Sequence, residues 1–257
     1  MRVKRFFDSL THPSDQGEWL KGEDSSYESL DNQRRKLLCE YKACAVNMPL
    51  KGMDNLNFYE ECGKYSWIFP VARVLLRDLS IKGIESIHMI GFEAIKIHPR
   101  QLCLNSIAQL QDVFEYCYKH EIIVFLCTYY YCDSSGWPTS DFLSELAKLN
   151  TLFPVKLVLL HGGGVRLLEF AEFVRFNENV ILDLSLTIMK YQGSSLDMDI
   201  KFLLKNFDRR ICLGSDHPEY SVSDVLKRLD SLSGELDLSP VELDNIAYNN
   251  LNNLLGL

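Results

Sequence analysis

The sequence predicts an α/β fold, a single (β/α)8 TIM barrel over residues 1–257. Eight short apolar strand patterns alternate with helical patterns along the chain, and this number of repeats fits a closed barrel better than an open sheet. A length of 257 residues is also ordinary for one barrel. The alternative is an open doubly wound sheet, but no Gly-x-Gly-x-x-Gly follows the first strand to support a dinucleotide site there.

Strands and helices alternate from the start of the chain. Asp54 and Ser80 are predicted N-caps because their side chains can accept hydrogen bonds from free backbone N–H groups, and Gly91 ends the second of these helices. Pro99 stops the fourth strand. A long polar loop follows the first strand over 13–26, and long loops in compact domains are more often functional. The predicted elements are strands at 3–10, 42–47, 67–73 and 94–98 and helices at 30–40, 54–63 and 80–90.

The second half of the chain repeats this alternation. Asn105 is the predicted cap of a helix whose apolar residues recur at helical spacing over 107–117. The strand at 122–127 is almost wholly apolar, as expected of a strand that is covered on both faces. The next strand, 156–161, lies between Pro154 and three glycines. The remaining predicted elements are strands at 180–185 and 211–215 and helices at 140–149, 165–176, 196–205, 222–231 and 240–251.

Composition narrows the class of protein. A net charge of −8 argues against nucleic acid or an anionic membrane as the main partner, and no apolar run is long enough to span a bilayer. Eight cysteines without a Cys-x-x-Cys pair predict reduced thiols. The basic start of the chain reaches Asp8 before a long apolar region forms, which is unlike a signal peptide. We therefore expect a cytoplasmic protein whose partner is a small-molecule substrate.

Polar residues recur at the ends of the predicted strands. In a barrel of βα units the carboxyl ends of the strands carry the chemistry. Side chains two apart on a strand share a face, so Asp8, Leu10 and His12 should point the same way. If all these strand ends open at one mouth, the mouth holds a set of side chains able to bind a divalent metal and to move a proton. That set is His12, Lys96, His98, Cys127, His161 and Asp216.

Several of these residues also have a purely structural interpretation. His161 taken alone is more often a hydrogen-bonded core histidine. Asp216 before His217-Pro218 could cap a turn, and Cys127 could be a small buried hydrophobic residue. Lys96 is harder to explain in this way, because a buried ammonium needs a partner or a shifted pKa.

Five short motifs, in order on the expected strands, together resemble one family. They are Phe7-Asp8-Ser9-Leu10-Thr11-His12, Gly91-Phe92-Glu93-Ala94-Ile95-Lys96-Ile97-His98-Pro99, Leu159-Leu160-His161-Gly162-Gly163-Gly164, Leu213-Gly214-Ser215-Asp216-His217-Pro218 and Asn245-Ile246-Ala247-Tyr248-Asn249-Asn250-Leu251. With these motifs the chain resembles the amidohydrolase superfamily, in its branch of small barrel-only proteins related to decarboxylases and lactonases. Two positions depart from the family pattern. Leu10 replaces the first histidine of a His-x-His motif, and Cys127 stands at the strand-five histidine.

The resemblance implies a hydrolase that holds one divalent metal ion, with zinc the expected ion. The ion would lower the pKa of a bound water toward about 7. Asp216 would be the general base that accepts the proton of this water, and His161 would ligate the metal or polarise the carbonyl group. The expected reaction is hydrolysis of an amide, lactone or related ester bond in a small acidic metabolite. The implied metal ligands are His12, Cys127, His161 and Asp216, and the implied substrate-binding residues are Lys96, His98, Tyr129, Trp137 and His217.

The two departures leave other functions open. Loss of an imidazole ligand should weaken metal binding. One alternative is therefore a metal-independent lactonase, in which the same carboxylate activates water and cationic groups bind the oxyanion. Another alternative is a barrel that has lost catalysis and acts as a binding protein. The oligomer that the resemblance implies is a homodimer.

Overall fold

Eight parallel strands follow one another around a barrel in the computed structural model, which describes residues 2–14, 17, 22–48, 53–129 and 141–257. Each strand pairs in parallel with the next one along the chain. The last seam joins the segment after β8 to β1, where Ser9 N donates to Leu213 O at 2.9 Å. The predicted (β/α)8 barrel is confirmed. The strands are β1 (Arg5–Thr11), β2 (Glu40–Val46), β3 (Ile68–Arg73), β4 (Ala94–Ile97), β5 (Ile123–Cys127), β6 (Leu157–Leu160), β7 (Val180–Asp183) and β8 (Ile211–Cys212).

The helices lie between successive strands and continue after β8. Asp54 and Ser80 cap their helices as predicted, since each side chain accepts from a backbone N–H three residues later, at 2.8 and 3.2 Å. The first helix begins earlier than predicted because Ser26 caps it, and Ser106 rather than Asn105 caps the turn at Ile107–Leu110. The helices are α1 (Tyr27–Arg35), α2 (Asn55–Cys62), α3 (Ile81–Ile90), α4 (Gln111–Lys119), α5 (Phe142–Leu152), α6 (Leu167–Arg175), α7 (Thr187–Lys190), α8 (Leu196–Asn206), α9 (Val222–Glu235), α10 (Pro240–Asp244) and α11 (Asn250–Leu255), with a π-helical segment at Asn245–Asn249 between the last two.

An apolar cluster fills the interior of the barrel. At the end where the strands begin, the cluster is closed by side chains of the C-terminal helical segments, and Arg5 at the start of β1 lies 4.4 Å from the centre of the Tyr248 ring. The polar side chains of the predicted site lie at the other end, where the strands finish. The cluster consists of Phe7, Leu10, Cys44, Val46, Val71, Ala94, Ile123, Phe125, Val158, Leu160, Ile181, Cys212, Tyr248, Leu251 and Leu255.

An irregularity in β1 corrects the predicted alternation of Asp8, Leu10 and His12. The register against β2 shifts between Asp8 and Thr11, so Phe7 and Leu10 both join the interior cluster although they are three residues apart. The Asp8 carboxylate does not face the mouth with His12. It accepts from the backbone and hydroxyl of Ser215 at 2.7 and 2.6 Å and is fully buried.

The end of β6 also differs from the prediction, which placed His161 in the strand. The strand stops at Leu160, and His161 has φ +66°, in the left-handed region. Gly162, Gly163 and Gly164 follow with φ of +58°, +78° and +58°. This region costs little only for glycine, so the three glycines let the chain turn sharply while His161 is held at the mouth.

Gly163→Ala is predicted to destabilise the protein by roughly 2–4 kcal/mol. A Cβ there would lie 2.2 Å from Cδ2 of Phe170 in the core, at a φ that alanine rarely adopts. Gly234→Ala in α9 is the control, since its Cβ would meet nothing within 4 Å and alanine favours a helix. Urea unfolding of both variants checks this, and equal midpoints for the two would contradict the packing argument.

The described ranges contain no helix that combines the length and the apolar character needed to cross a membrane. The cysteines in these ranges are free thiols. They are Cys39, Cys44, Cys62, Cys103, Cys117, Cys127 and Cys212.

Candidate active site

The six predicted site residues lie at the C-terminal ends of the strands. Each is buried except His98 and Asp216, which are partly exposed. Their contacts with one another, given below, show that they share one mouth. His12 follows β1, Lys96 lies in β4, His98 follows β4, Cys127 ends β5, His161 follows β6 and Asp216 follows β8.

His12 connects Lys96 and Asp216. Its Nδ1 lies 3.0 Å from Val46 O, which can only accept, so Nδ1 carries a proton. Its Nε2 is 3.3 Å from Lys96 Nζ and 3.4 Å from Asp216 Oδ1. Burial and the Lys96 ammonium lower the pKa of His12 to about 4, so the ring is neutral at pH 7 and Nε2 can accept from Lys96. Burial also lowers the pKa of Lys96.

Asp216 is held as a carboxylate. Burial alone would raise its pKa, but the nearby positive charges of His161 and Lys96 hold the pKa below its usual range. Asp216 has φ +54°, so both Asp216 and His161 adopt backbone conformations that are unfavourable for residues with a side chain. Such strain persists where the surrounding structure requires it, and here it fixes two of the predicted functional groups.

Cys127 lies between two imidazoles. His98 Nε2 is 3.6 Å from the sulfur, and Gln101 N donates to His98 Nδ1 at 3.4 Å, so the nitrogen that faces Cys127 carries a proton. The charge of His161 also acts on the Cys127 sulfur. Burial alone would raise the pKa of the Cys127 thiol, but the two histidines hold it well below its usual range.

Asp183 and Ser185, which the sequence analysis missed, orient His161. His161 Nδ1 lies 3.1 Å from Ser185 O and 3.2 Å from Ser185 Oγ, so this nitrogen donates to Ser185. The Ser185 hydroxyl donates in turn to Asp183, which also accepts from His161 N at 3.2 Å. Burial alone would lower the pKa of His161, but Cys127 and Asp216 raise it to about 9.

His217 presents a buried N–H group at the edge of this cluster. Gln33 Oε1 accepts from Val222 N at 3.1 Å, so its amide nitrogen, 3.3 Å from His217 Nδ1, is the donor in that pair. The remaining nitrogen of the neutral ring, Nε2, therefore carries the proton. This buried Nε2 has no hydrogen-bond partner among the described residues. A buried donor of this kind suits a substrate oxygen.

The buried His217 makes the stability of the protein depend on pH. Burial and the nearby His12 lower its pKa to about 4, whereas the pKa in an unfolded chain is near 6.5. As the pH falls from about 6.5 to 4, this histidine binds a proton in the unfolded chain but not in the folded protein. The free energy of unfolding therefore decreases over this pH window. We expect His217→Gln to lose less stability than the wild type between these pH values, by on the order of 3 kcal/mol. Urea unfolding at pH 7 and 4.5 tests this, and parallel losses would contradict it.

Arg73 is a second cation at the mouth that the sequence analysis missed. It ends β3 and pairs in register with Lys96. It alternates with Phe69 and Val71, which contact the interior cluster, so its side chain points inward. Its buried Nη1 has no hydrogen-bond partner within the described ranges, and a guanidinium of this kind suits a carboxylate.

Of the two aromatic residues predicted to bind substrate, one lies in the described part of the chain. Tyr129 lies near the mouth, with its ring centre 6.3 Å from that of His161 in an edge-on arrangement. Lys190 Nζ donates to the Tyr129 hydroxyl at 2.7 Å. Trp137 lies outside the described residues, so its part in substrate binding stays a prediction.

The four implied metal ligands do not fit a metal ion in this arrangement. Within the described ranges, no group of three or more His, Cys, Asp or Glu side chains is placed to hold one. The His12 nitrogen that faces Asp216 has Lys96 Nζ at 3.3 Å, and an ammonium at that point repels a second cation. The arrangement is instead suited to acid–base chemistry by the side chains themselves.

A cavity of about 440 Å³ lies at the other end of the barrel and is not part of this cluster. Its lining includes Arg2, Lys4 and Arg5, which precede or begin β1, together with Pro240 and Asp244 of α10. In barrels of this kind the end where strands begin contributes to stability, whereas the reacting groups lie at the other end.

Comparisons with known proteins agree with this architecture. The sequence model of the amidohydrolase family matches residues 48–257. A search of curated proteins finds no match. An uncharacterized TIM-barrel protein from Bordetella bronchiseptica has a similar structure, with a TM-score of 0.74 and 15% identity over 98% of both chains.

Two further solved structures have names that indicate hydrolases. A probable 2-pyrone-4,6-dicarboxylic acid hydrolase from Acinetobacter baumannii, with citric acid bound, has a TM-score of 0.70 and 14% identity over 98% of this chain and 99% of the other. Dihydroorotase from Campylobacter jejuni has a TM-score of 0.69 and 18% identity over 99% of this chain and 84% of the other. At such identities the likeness shows a shared fold.

Proposed function

The chain belongs to the amidohydrolase family, and from this premise we propose that it hydrolyses a lactone, amide or related ester bond in a small metabolite that carries a carboxylate. The observation that carries the proposal is the convergence of a carboxylate and an ammonium on one histidine nitrogen. Asp216 Oδ1 and Lys96 Nζ lie 3.4 and 3.3 Å from His12 Nε2, at the mouth of the barrel.

These groups have complementary roles in acyl hydrolysis. Asp216 is the general base that takes a proton from the attacking water, in the role predicted from the sequence. Lys96 stabilises the negative charge that develops on the carbonyl oxygen, because its ammonium is buried and already in place. His161, whose pKa is about 9, is protonated at pH 7 and gives a proton to the leaving group.

Several donors support an acidic substrate. Arg73 Nη1 and His217 Nε2 are buried donors with no partner in the described part of the chain, and leaving a buried donor unpaired costs free energy that an anionic ligand would recover. One similar structure is named for a dicarboxylic acid hydrolase and holds citric acid. We propose that Arg73 and His217 bind the substrate carboxylate, with His98 and Tyr129 beside it.

The proposed reaction includes no metal step. Zinc was expected from the family resemblance, with His12, Cys127, His161 and Asp216 as ligands, but the contacts of these residues favour a reaction without a metal, as in the alternative of a metal-independent lactonase. Lys96 supplies the positive charge at the carbonyl oxygen, and Asp216 supplies the base.

A panel of carboxylate-bearing lactones, cyclic amides and activated esters tests the proposal. Proton release is followed with a pH indicator, and each compound has an uncharged analogue as its control. We expect turnover of at least one acidic compound, at a rate about tenfold or more above that of its analogue. Binding of the acidic compounds by calorimetry without hydrolysis of any would contradict the proposal and favour the binding-protein alternative.

Arg73→Met is predicted to raise KM for the acidic substrate by about 10- to 100-fold, with a much smaller change in kcat. The variant removes a cation that binds the substrate equally in the ground and transition states. Arg77→Met is the matched control, because Arg77 is an exposed arginine on the following turn. An unchanged KM in Arg73→Met would exclude Arg73 from substrate binding.

A further inference from the structure

Asp8 is a buried carboxylate that the proposed reaction does not use, because it points away from the mouth. We propose that Asp8 is a positioning residue for the general base. Through Ser215 it holds the turn that presents Asp216 and His217 to the substrate. This inference rests on the proposed hydrolysis and names the side chain that keeps the base of that reaction in place.

The first support is the burial of a charge without a cation beside it. Asp8 is 0% exposed, and the groups that bind its carboxylate in the described part of the chain are neutral donors. Burial raises the pKa of Asp8 to about 7, although the hydrogen bonds from Ser215 act in the opposite direction. Burying a carboxylate in this way costs free energy, so its hydrogen bonds have to compensate for the cost.

The second support is the place to which these hydrogen bonds lead. One oxygen of Asp8 accepts from Ser215 N at 2.7 Å, and the other accepts from Ser215 Oγ at 2.6 Å. Ser215 Oγ in turn accepts from His217 N at 3.1 Å. The carboxylate therefore holds the residue before Asp216 directly and the residue after it through one hydroxyl group. Hydrogen bonds to an ionised acceptor are stronger than those between neutral groups.

Asp8 is itself fixed in orientation by its neighbours in β1 and β2. Leu10 N donates to Oδ1 at 3.3 Å, and the Tyr41 hydroxyl donates to Oδ2 at 3.1 Å. Both carboxylate oxygens thus have a second donor besides Ser215. A carboxylate held in this way is a rigid support for the turn that it binds.

The third support is the backbone of the turn. Asp216 has φ +54°, a conformation that persists only where the surrounding structure holds it. Asp216 N donates to Leu10 O at 2.9 Å, so the turn is also tied to the backbone of β1. The approach is close, since a Cβ on Gly214 would lie 2.5 Å from Ser9 Oγ. The Asp8 carboxylate adds side-chain contacts to this seam on the side where the base is carried.

A similar arrangement occurs at His161, the other functional residue with a left-handed backbone. The buried Asp183 accepts from His161 N at 3.2 Å and from the Ser185 hydroxyl. Ser185 carries the carbonyl group that binds the His161 ring. In both places a buried carboxylate binds a backbone N–H group and a serine hydroxyl next to the residue with positive φ. This repetition favours a positioning role for Asp8 over a role in packing alone.

Asp8→Asn is expected to lower kcat by about 10- to 100-fold, because a small displacement of a reacting group is enough for such a loss. Asparagine keeps the size of the side chain but has one acceptor oxygen and no charge. Rates on the substrate from the panel are measured at pH 8, where the Asp8 carboxylate is ionised. Wild-type kcat in a folded Asp8→Asn variant would overturn the inference and leave the proposed hydrolysis intact.

A double-mutant cycle separates positioning of the base from a general loss of structure. If Asp8 acts through Asp216, Asp8→Asn should cost less than about threefold in kcat when Asp216→Asn is already present. Equal losses in the two backgrounds would overturn the inference. Ser215→Ala provides the same test should Asp8→Asn not fold, since it removes only the linking hydroxyl. We expect it to lower kcat about tenfold in the wild-type background and to have no effect beside Asp216→Asn.

Asp197→Asn is the matched control. Asp197 is another buried aspartate, and it binds Arg228 between α8 and α9. Its loss removes a buried ion pair without touching the turn at 213–218. The control should keep wild-type kcat even where it lowers the unfolding midpoint in urea. A loss of kcat in Asp197→Asn equal to that in Asp8→Asn would show that the effect reports stability, and would overturn the inference.

Hydrogen exchange followed by mass spectrometry tests the turn without turnover. In Asp8→Asn, the amides of the 213–218 segment should exchange about tenfold or more faster than in wild type, whereas Asp197→Asn should leave their exchange unchanged. If no compound of the panel is hydrolysed, the proposed function fails, and these exchange rates still decide whether Asp8 holds the turn. Exchange of this segment at the wild-type rate in Asp8→Asn would overturn the inference.

Discussion

Asp216→Asn is expected to lower kcat by about 10²- to 10⁴-fold, the usual contribution of a general base. The asparagine keeps the size of the side chain but cannot take a proton from water. It also removes the negative charge beside His12, 3.4 Å away, and near Lys96. Initial rates on the substrate identified from the panel measure the effect, with KM expected to change much less than kcat.

The control for this variant is Asp112→Asn, at an exposed position in the first turn of α4. It should keep wild-type rates. A circular dichroism melt shows whether Asp216→Asn folds. A folded Asp216→Asn variant with more than a tenth of the wild-type kcat would exclude Asp216 as the base.

Lys96→Met is expected to lower kcat by about 10²- to 10³-fold, which is typical of losing one preorganised group that stabilises an oxyanion. Methionine fills a similar volume without the charge, so the decrease in kcat measures the contribution of the ammonium charge. The charge matters because Lys96 is 4% exposed and its field is little screened by water.

Lys42→Met is the matched control for Lys96→Met. Lys42 lies in β2, and its Nζ is 3.5 Å from Asn252 Oδ1 and 5.5 Å from the centre of the Tyr248 ring, at the end of the barrel where strands begin. The control should keep wild-type kcat. Equal activity of the two variants would show that the Lys96 charge is not used in the reaction.

The barrel and the main polar groups of its mouth could be predicted because both follow from local rules. Apolar runs bounded by proline, glycine and capping residues indicate strands and helices, and a strand end places its last side chain at the mouth. His12, Cys127 and Asp216 were found in this way. Lys96 was found because a lysine within an apolar strand is unusual.

Other features depend on contacts between residues that are distant in the sequence. The irregularity in β1 accompanies hydrogen bonds to the segment after β8, such as Asp216 N to Leu10 O at 2.9 Å, which no local pattern shows. The left-handed conformation of His161 is likewise imposed by its surroundings, although the glycines after it are a hint.

For two of the residues that the sequence analysis missed, the sequence did contain an indication of their position. Alternate residues of a strand face the same side, and Phe69 and Val71 of β3 face the interior of the barrel. Arg73, two residues after Val71 at the end of the strand, is therefore expected to direct its side chain towards the mouth. Asp183 ends a strand that was predicted to continue to Ser185, and its parity with Ile181 would have shown that it points inward. The predicted homodimer and cytoplasmic location stay predictions.

The most direct test of the account is hydrolysis of the acidic panel by protein treated with a chelator and shown to contain no zinc. We predict that at least one lactone, amide or ester is cleaved at the rate of the untreated protein, because Asp216 supplies the base, Lys96 the positive charge and His161 the acid. No cleavage, or cleavage that returns only when zinc is added, would contradict it.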